Sequence, residues 1–202
     1  DTQGIVLIAD EIQTGFARTG KMFALEQAGL KADVVTLAKG LAGGMPLSAI
    51  VGRADIMDAS PPGGLGGTYA GNPVAVAAAH TVLDIIAEED LCTRADAIGT
   101  IIQDRCRALA ARSNLNCIGD VRGLGAMCAV EFVKDRASSA PWPELTAEVL
   151  KAGTARGLIL LSCGTYGNVV RFLPPLTASD ALVNEGMDIF EASLTEAVGK
   201  LQ

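Results

Sequence analysis

The sequence predicts an α/β protein, with a mainly parallel sheet in its N-terminal part and a smaller α/β region after it. Three observations carry this expectation. Continuous apolar runs at 5–9 (IVLIA) and 34–37 (VVTL) flank a helix-like stretch, which is the strand–helix–strand order of a parallel unit. A glycine-rich loop then feeds an alanine-rich helix. After Asn114 the texture changes to short strands alternating with helices.

The run at 5–9 reads as a fully buried parallel strand, as does 34–37, with a third strand at 47–51 (LSAIV). Between the first two, TGKMFALEQAGLKAD reads as a helix with Gly29 near its end. Residues 61–67 (PPGGLGG) hold six Gly or Pro in seven positions and form a loop. Pro73 suits the first turn of a helix running to about Glu89. A second helix starts near Leu91, with Leu91, Ala95, Ile98, Ile102, Cys106 and Leu109 on one face. AMCAVEFV (126–133) alternates as a strand with one wet face does. A loop at 136–143, a helix at 144–155 ending before Gly157, and strands at 158–162 and 169–173 follow. The last helix, 179–200, carries Val183, Met187, Phe190, Leu194 and Val198 as its stripe. A domain boundary is expected near residue 90. The chain has no initiator Met and opens almost at once on a core-like strand, which reads as a fragment of a longer polypeptide.

Half of the residues are hydrophobic and 19% are charged, which predicts a sizeable core. The net charge of −7 argues against a nucleic-acid or anionic-membrane surface. No apolar run approaches the roughly 18 residues of a spanning helix, and nothing in the opening indicates secretion. The cysteines, Cys92, Cys106, Cys117, Cys128 and Cys163, are odd in number and widely spaced. No zinc or redox spacing is present among them, and they read as reduced thiols of a cytosolic protein. His80, the only histidine, sits in the alanine-rich helix, so neither a His-based triad nor a His metal cluster is expected.

Asp10-Glu11-Ile12-Gln13 follows the first strand, and Lys39 follows the second. Ligands collect at the carboxyl ends of parallel strands. Taken alone, an acid and a lysine there fit either a ligand site or a salt bridge. Ile12 fits the core, Gln13 fits the surface, and Thr68 before a helix fits a cap or an anion site. Arg171 lies in an apolar strand between Val170 and Phe172. It must be either ion-paired or functional, because an unpaired buried charge is very costly.

Four segments in this order, DEIQTGFARTG, AKGLAGGMPLSAIVG, GGTYAGNPVAVAAA and GNVVRFLPPL, resemble the class III, fold-type I aminotransferases that use pyridoxal 5'-phosphate. The similarity covers nearly the whole chain and corresponds to the C-terminal half of that family, with the 4-aminobutyrate branch nearest. The resemblance implies that residues 1–90 are the C-terminal part of the large cofactor-binding domain and 91–202 the small C-terminal domain. It assigns Lys39 the covalent link to the cofactor aldehyde, which needs a neutral amine nucleophile. Asp10 would face the pyridine nitrogen, Ile12 would pack on the ring, and Gln13 would donate to the ring hydroxyl. Gly67 and Thr68 would lie at the cofactor phosphate of the other subunit. Arg171 would clamp the α-carboxylate of glutamate or 2-oxoglutarate. No metal is implied, and Glu11 receives no role.

Gly40 stands where a serine often follows the lysine in the family. The family's main phosphate cup, its ring-stacking aromatic residue, its arginine for the distal carboxylate and the glutamate that neutralises the arginine matched by Arg171 lie upstream of the segments seen here. The chain alone is therefore expected to lack a complete site. The implied activity moves the amino group of 4-aminobutyrate, or a related ω-amino acid, to 2-oxoglutarate, in a cytoplasmic homodimer or tetramer of dimers. Ornithine or acetylornithine as donor, or a non-catalytic truncated homologue serving as an assembly module, are the alternatives.

Overall fold

The computed structural model describes residues 3–64 and 66–201. Leu65, inside the predicted loop at 61–67, lies outside the described residues. The chain divides into two compact units, one ending at Thr93 and the other starting at Arg94.

The first unit holds a three-stranded sheet in the order β1-β2-β3 (Ile8–Asp10, Val34–Leu37, Ala49–Gly52). β1 and β2 are parallel, with Ile8 opposite Val34 and Asp10 opposite Thr36. β3 runs antiparallel to β2, with Leu37 opposite Ala49. The connection between Leu37 and Ala49 is too short for the crossover that a parallel neighbour needs. A one-turn helix, α1 (Ala54–Met57), follows β3. Arg53 ties this corner to the strand entry. Its guanidinium reaches Asp33 at 2.8 Å, and Asp33 also accepts the Leu7 N–H at 2.8 Å. The Leu7 N–H, then Arg53, holds the Asp33 carboxyl below the usual carboxylate range.

Two expectations need correction here. The run at 5–9 is not buried, with Ile5, Val6, Leu7 and Ile8 between 47% and 73% exposed. Among the described residues β1 is paired on one side only, whereas Val34 and Leu37 on the middle strand are buried. The helix expected between β1 and β2 shrinks to a 3-10 turn at Ala24–Ala28, closed by Gly29 in the left-handed region (φ 62°). The residues before it form a tight loop, described below.

α2 (Pro73–Glu88) begins with proline in its first turn, and the Asn72 side chain accepts from Val74 and Ala75 N–H at 2.9 and 3.4 Å. Asp90 (φ 46°) breaks the path before α3 (Leu91–Ala110). All six residues of the predicted α3 stripe are buried.

The second unit is a four-stranded antiparallel sheet, β4-β5-β7-β6 (Ile118–Leu124, Met127–Phe132, Val169–Phe172, Leu161–Cys163), with α4 (Pro143–Ala155) and α5 (Asp180–Leu201) packed together. The α5 stripe is buried at every predicted position, and Phe190 meets Phe172 edge-to-face at 5.0 Å. β6 begins later than expected. Gly157 (φ 87°) turns the chain, Leu158 N–H returns to Gly153 O at 2.9 Å, and Ile159 is 84% exposed. Burial pushes the Cys106 thiol up to about 12 and that of Cys128 to about 11, so both stay neutral and unreactive at neutral pH.

β4 was not expected, because IGDVRGL buries only Ile118 and contains two glycines. The glycines explain the strand. A Cβ on Gly123 would stand 2.7 Å from Met127 O, and one on Gly99 of α3 would stand 1.9 Å from Gly125 O at the β4–β5 turn. The helix and the turn touch backbone to backbone. Gly99→Ala is therefore expected to destabilise this unit by about 1–3 kcal/mol through overpacking, despite the ~1 kcal/mol that alanine gains over glycine in a helix. Urea unfolding followed by circular dichroism measures it, and an unchanged or raised midpoint would contradict the packing argument.

Candidate active site

Asp10 is the last residue of β1, and Lys39 comes two residues after the end of β2. Because the two strands are parallel neighbours in register, both residues emerge at the same, carboxyl end of the sheet. Asp10 Oδ1 accepts the Ile12 N–H at 3.1 Å and the Thr36 hydroxyl at 3.3 Å. These contacts fix the carboxylate and make Ile12 part of the same turn. Among the described residues, Oδ2 accepts no hydrogen bond, and no ion pair joins Asp10 to Lys39. The salt-bridge alternative is thus not what this sheet end contains.

Lys39 is exposed and adopts φ 47°, a left-handed conformation that costs a non-glycine residue about 1–3 kcal/mol. It opens the 3-10 turn Lys39–Ala42, which is pinned by buried Leu41 and Ala42. Gly43 (φ 58°) follows, placed so that a Cβ would lie 3.2 Å from Val82 of α2. At Gly44 (φ 105°) an added Cβ would meet nothing within 4 Å. The lysine therefore stands on a fixed turn beside open space.

Ile12 is half-buried and Gln13 exposed, on the turn after β1. Gly67 and Thr68 are exposed. The turn that holds them is closed by Ala70 N–H to Gly67 O at 2.9 Å. The cap of α2 is Asn72, so the helix-capping alternative for Thr68 is corrected: the helix starts too far along the chain. Arg171 lies in the second unit, on the inner strand β7, opposite Ala129 on one side and Leu161 on the other. It lines a cavity of about 360 Å3 together with Leu160, Phe172, Leu182 and Met187. The first unit thus gathers Asp10, Ile12, Gln13 and Lys39 at one sheet end, while Gly67 and Thr68 precede α2 and Arg171 belongs to the other unit.

Two residues that received no role from the sequence touch this arrangement. Thr36 is the polar residue of an apolar strand, and its register opposite Asp10 is the reason for its hydroxyl. Glu11 is 2% exposed and hydrogen-bonded into the loop after β1. No cluster of metal-ligating side chains occurs among the described residues, and no helix among them is long and apolar enough to cross a membrane.

The family profile of class-III aminotransferases matches residues 1–194. Over 197 residues the chain is 49% identical to the 4-aminobutyrate aminotransferase GabT of Escherichia coli (strain K12), covering 98% of this chain and 46% of that protein. It is 50% identical over 196 residues to the 5-aminovalerate aminotransferase DavT of Pseudomonas putida, covering 97% and 45%. Among solved structures, a transaminase from the marine bacterium Virgibacillus superposes with a TM-score of 0.89 at 30% identity, covering 100% of this chain and 47% of that one. The ornithine aminotransferase of Toxoplasma gondii gives 0.85 at 32% identity, covering 98% and 45%.

The chain belongs to the class-III aminotransferases, with the α/β fold of the fold-type I transaminases. Enzymes of this class depend on pyridoxal 5'-phosphate. The chain spans about half the length of the curated relatives it matches.

Proposed function

We propose that this chain supplies the C-terminal half of an aminotransferase that moves the amino group of 4-aminobutyrate, or a closely related ω-amino acid, to 2-oxoglutarate, giving succinate semialdehyde and glutamate. The observation that carries the reading is the sheet end itself. A carboxylate fixed through one oxygen and a lysine on a strained turn emerge side by side from parallel strands, with no ion pair between them. This donor set fits pyridoxal phosphate. Asp10 Oδ2 would accept from a protonated ring nitrogen, and Gly44, where an added Cβ would meet nothing within 4 Å, leaves room on the turn after Lys39. The ring, when bound, withdraws electrons from the substrate's amino-bearing carbon.

In this reading Lys39 Nζ would hold the cofactor covalently, and its amine would move the proton at the substrate's amino-bearing carbon. Asp10 keeps the ring nitrogen protonated through a charge-assisted hydrogen bond. Ile12 would pack on the ring face, and Gln13 would donate to its hydroxyl. Thr68, beside Gly67, would bind the phosphate of the other subunit's cofactor, which would require a dimer. Arg171 takes the α-carboxylate of glutamate or 2-oxoglutarate in two parallel hydrogen bonds. Residues 1–90 form part of the large domain and 91–202 the small one, and the enzyme works in the cytoplasm as a homodimer or tetramer of dimers. Close similarity to both a 4-aminobutyrate and a 5-aminovalerate enzyme supports an unbranched ω-amino acid as donor.

The test is a donor series with the full-length enzyme that carries this chain. Glutamate formation from 2-oxoglutarate should be at least roughly tenfold more efficient with 4-aminobutyrate or 5-aminovalerate than with ornithine or acetylornithine, the discrimination expected when a site's polar groups are left unmatched. Preference for ornithine would overturn the donor assignment. No glutamate from any donor would favour the non-catalytic reading.

A further inference from the structure

Of the acid pair Asp10-Glu11 at the end of β1, Glu11 carries no part of the chemistry above, yet it is the one that is buried. The Glu11 carboxylate accepts hydrogen bonds from the Thr14 hydroxyl, from Ala24 N–H at 3.0 Å and from Leu25 N–H at 2.8 Å. Ala24 and Leu25 open the 3-10 turn Ala24–Ala28, so their amides have no partner within that turn. One side chain therefore closes the loop from residue 12 to residue 23 upon itself.

The loop it closes is held in a conformation that needs holding. Phe16 and Ala17 are both left-handed (φ 58° and 67°) and both buried. Non-glycine residues persist there only where the surroundings over-determine them. Gly15 N–H returns to Glu11 O at 3.0 Å, and Phe16 N–H reaches Met22 O at 2.7 Å. The Phe16 ring meets Phe23 edge-to-face at 5.9 Å. On its other side, Phe16 Cβ stands 3.5 Å from the point where a Cβ of Gly40 would lie. A path thus runs from the Ala24 amide held by Glu11, through the adjoining Phe23 ring and Phe16, to Gly40 beside Lys39, while Asp10 directly precedes Glu11.

We propose that Glu11 is the positioning residue of this site: its carboxylate clasps the loop at 12–23, and the clasped loop sets both the turn that carries Asp10 and Ile12 and, through Phe16 on Gly40, the turn that carries Lys39. This inference rests on the reading of Asp10 and Lys39 as the cofactor's partners. Glu11 itself touches neither cofactor nor substrate.

The variant Glu11→Gln keeps the volume but turns an acceptor oxygen into a donor that faces a backbone N–H. In the full-length enzyme without cofactor, hydrogen exchange at residues 12–25 should accelerate roughly tenfold or more, while α2 exchanges as before. Once cofactor is added, its dissociation constant should rise roughly tenfold and its induced circular dichroism should fall, because the partners are no longer pre-organised. Phe16→Leu cuts the path beyond the clasp. It should leave exchange at Ala24 and Leu25 near wild type yet reproduce the loss of dichroism. Faster loop exchange with unchanged cofactor affinity and dichroism would reduce Glu11 to a loop staple and overturn the proposal. If Glu11→Gln does not fold, Phe16→Leu decides, and unchanged affinity and dichroism in that variant overturn it. Wild-type enzyme that binds cofactor away from Lys39 would instead overturn the underlying reading. That failure is recognisable because loop exchange is measured in the absence of cofactor.

Discussion

Lys39→Ala in the full-length enzyme is expected to lower transamination by roughly 10⁴-fold or more, since proton transfer by a positioned side chain alone is worth 10²–10⁴ and the covalent hold on the cofactor is lost as well. The fold should survive the change. Lys39 is exposed, and its turn is anchored by Leu41 and Ala42 rather than by the lysine side chain. Alanine retains the left-handed backbone cost, so stability should change little. Asp10→Asn gives a graded comparison. The amide still accepts from Ile12 N–H and Thr36, which keeps the turn, but it cannot hold a ring proton. The loss of a charge-assisted hydrogen bond, about 1.5–3 kcal/mol, corresponds to roughly 10- to 150-fold in turnover. Steady-state kinetics and a thermal melt separate the two effects. Near wild-type turnover in either variant would remove that residue from the chemistry.

Arg171→Lys should damage the two half-reactions unequally. A lysine supplies the charge but not two parallel hydrogen bonds in a plane, so it should not rescue function. The half-reaction with glutamate or 2-oxoglutarate should lose about 2–5 kcal/mol of transition-state binding, the cost of breaking one partner of a buried charge pair. That amounts to roughly 30- to 5,000-fold in single-turnover rate. The half-reaction with 4-aminobutyrate presents no α-carboxylate and should be affected far less. Equal damage to both would show that Arg171 holds β7 in place, between Ala129 and Leu161, and does not read substrate.

What the sequence made legible follows from which forces are local. The helix stripes at Leu91–Leu109 and Val183–Val198 are periodic over several turns, and every residue named on them is buried. Proline at the start of α2 acts within its own turn. β4 was invisible because its place in the sheet depends on close backbone approaches, Gly99 to Gly125 across distant sequence and Gly123 to Met127 across the turn, which leave no hydrophobic pattern. The helix expected before Gly29 was shortened by a tertiary competitor: Glu11 takes the amides at its start, and Phe16 and Ala17 turn left-handed. The run at Ile5–Ile8 carries the pattern of a strand covered on both sides, and it is exposed here because β1 has one neighbour among the described residues.

The candidate site divides in the same way. Asp10 and Lys39 were legible as residues at strand ends, and the family resemblance supplied their expected chemistry. The absence of an ion pair between them, the open Oδ2 and the strained φ of Lys39 are properties of the folded backbone. Glu11 received no role from the sequence, and its part in the loop rests on three hydrogen-bond donors that only the fold brings to it.

The most direct measurement is borohydride reduction of the full-length enzyme in the presence of pyridoxal phosphate, followed by peptide mapping. Reduction makes permanent whichever lysine holds the cofactor. The chain offers Lys21, Lys31, Lys134, Lys151 and Lys200 as competitors to Lys39. A single pyridoxyl group confined to the peptide containing Lys39 is the predicted result. Label on any of the other lysines, spread among several of them, or absent altogether would contradict the assignment of this sheet end as the cofactor site.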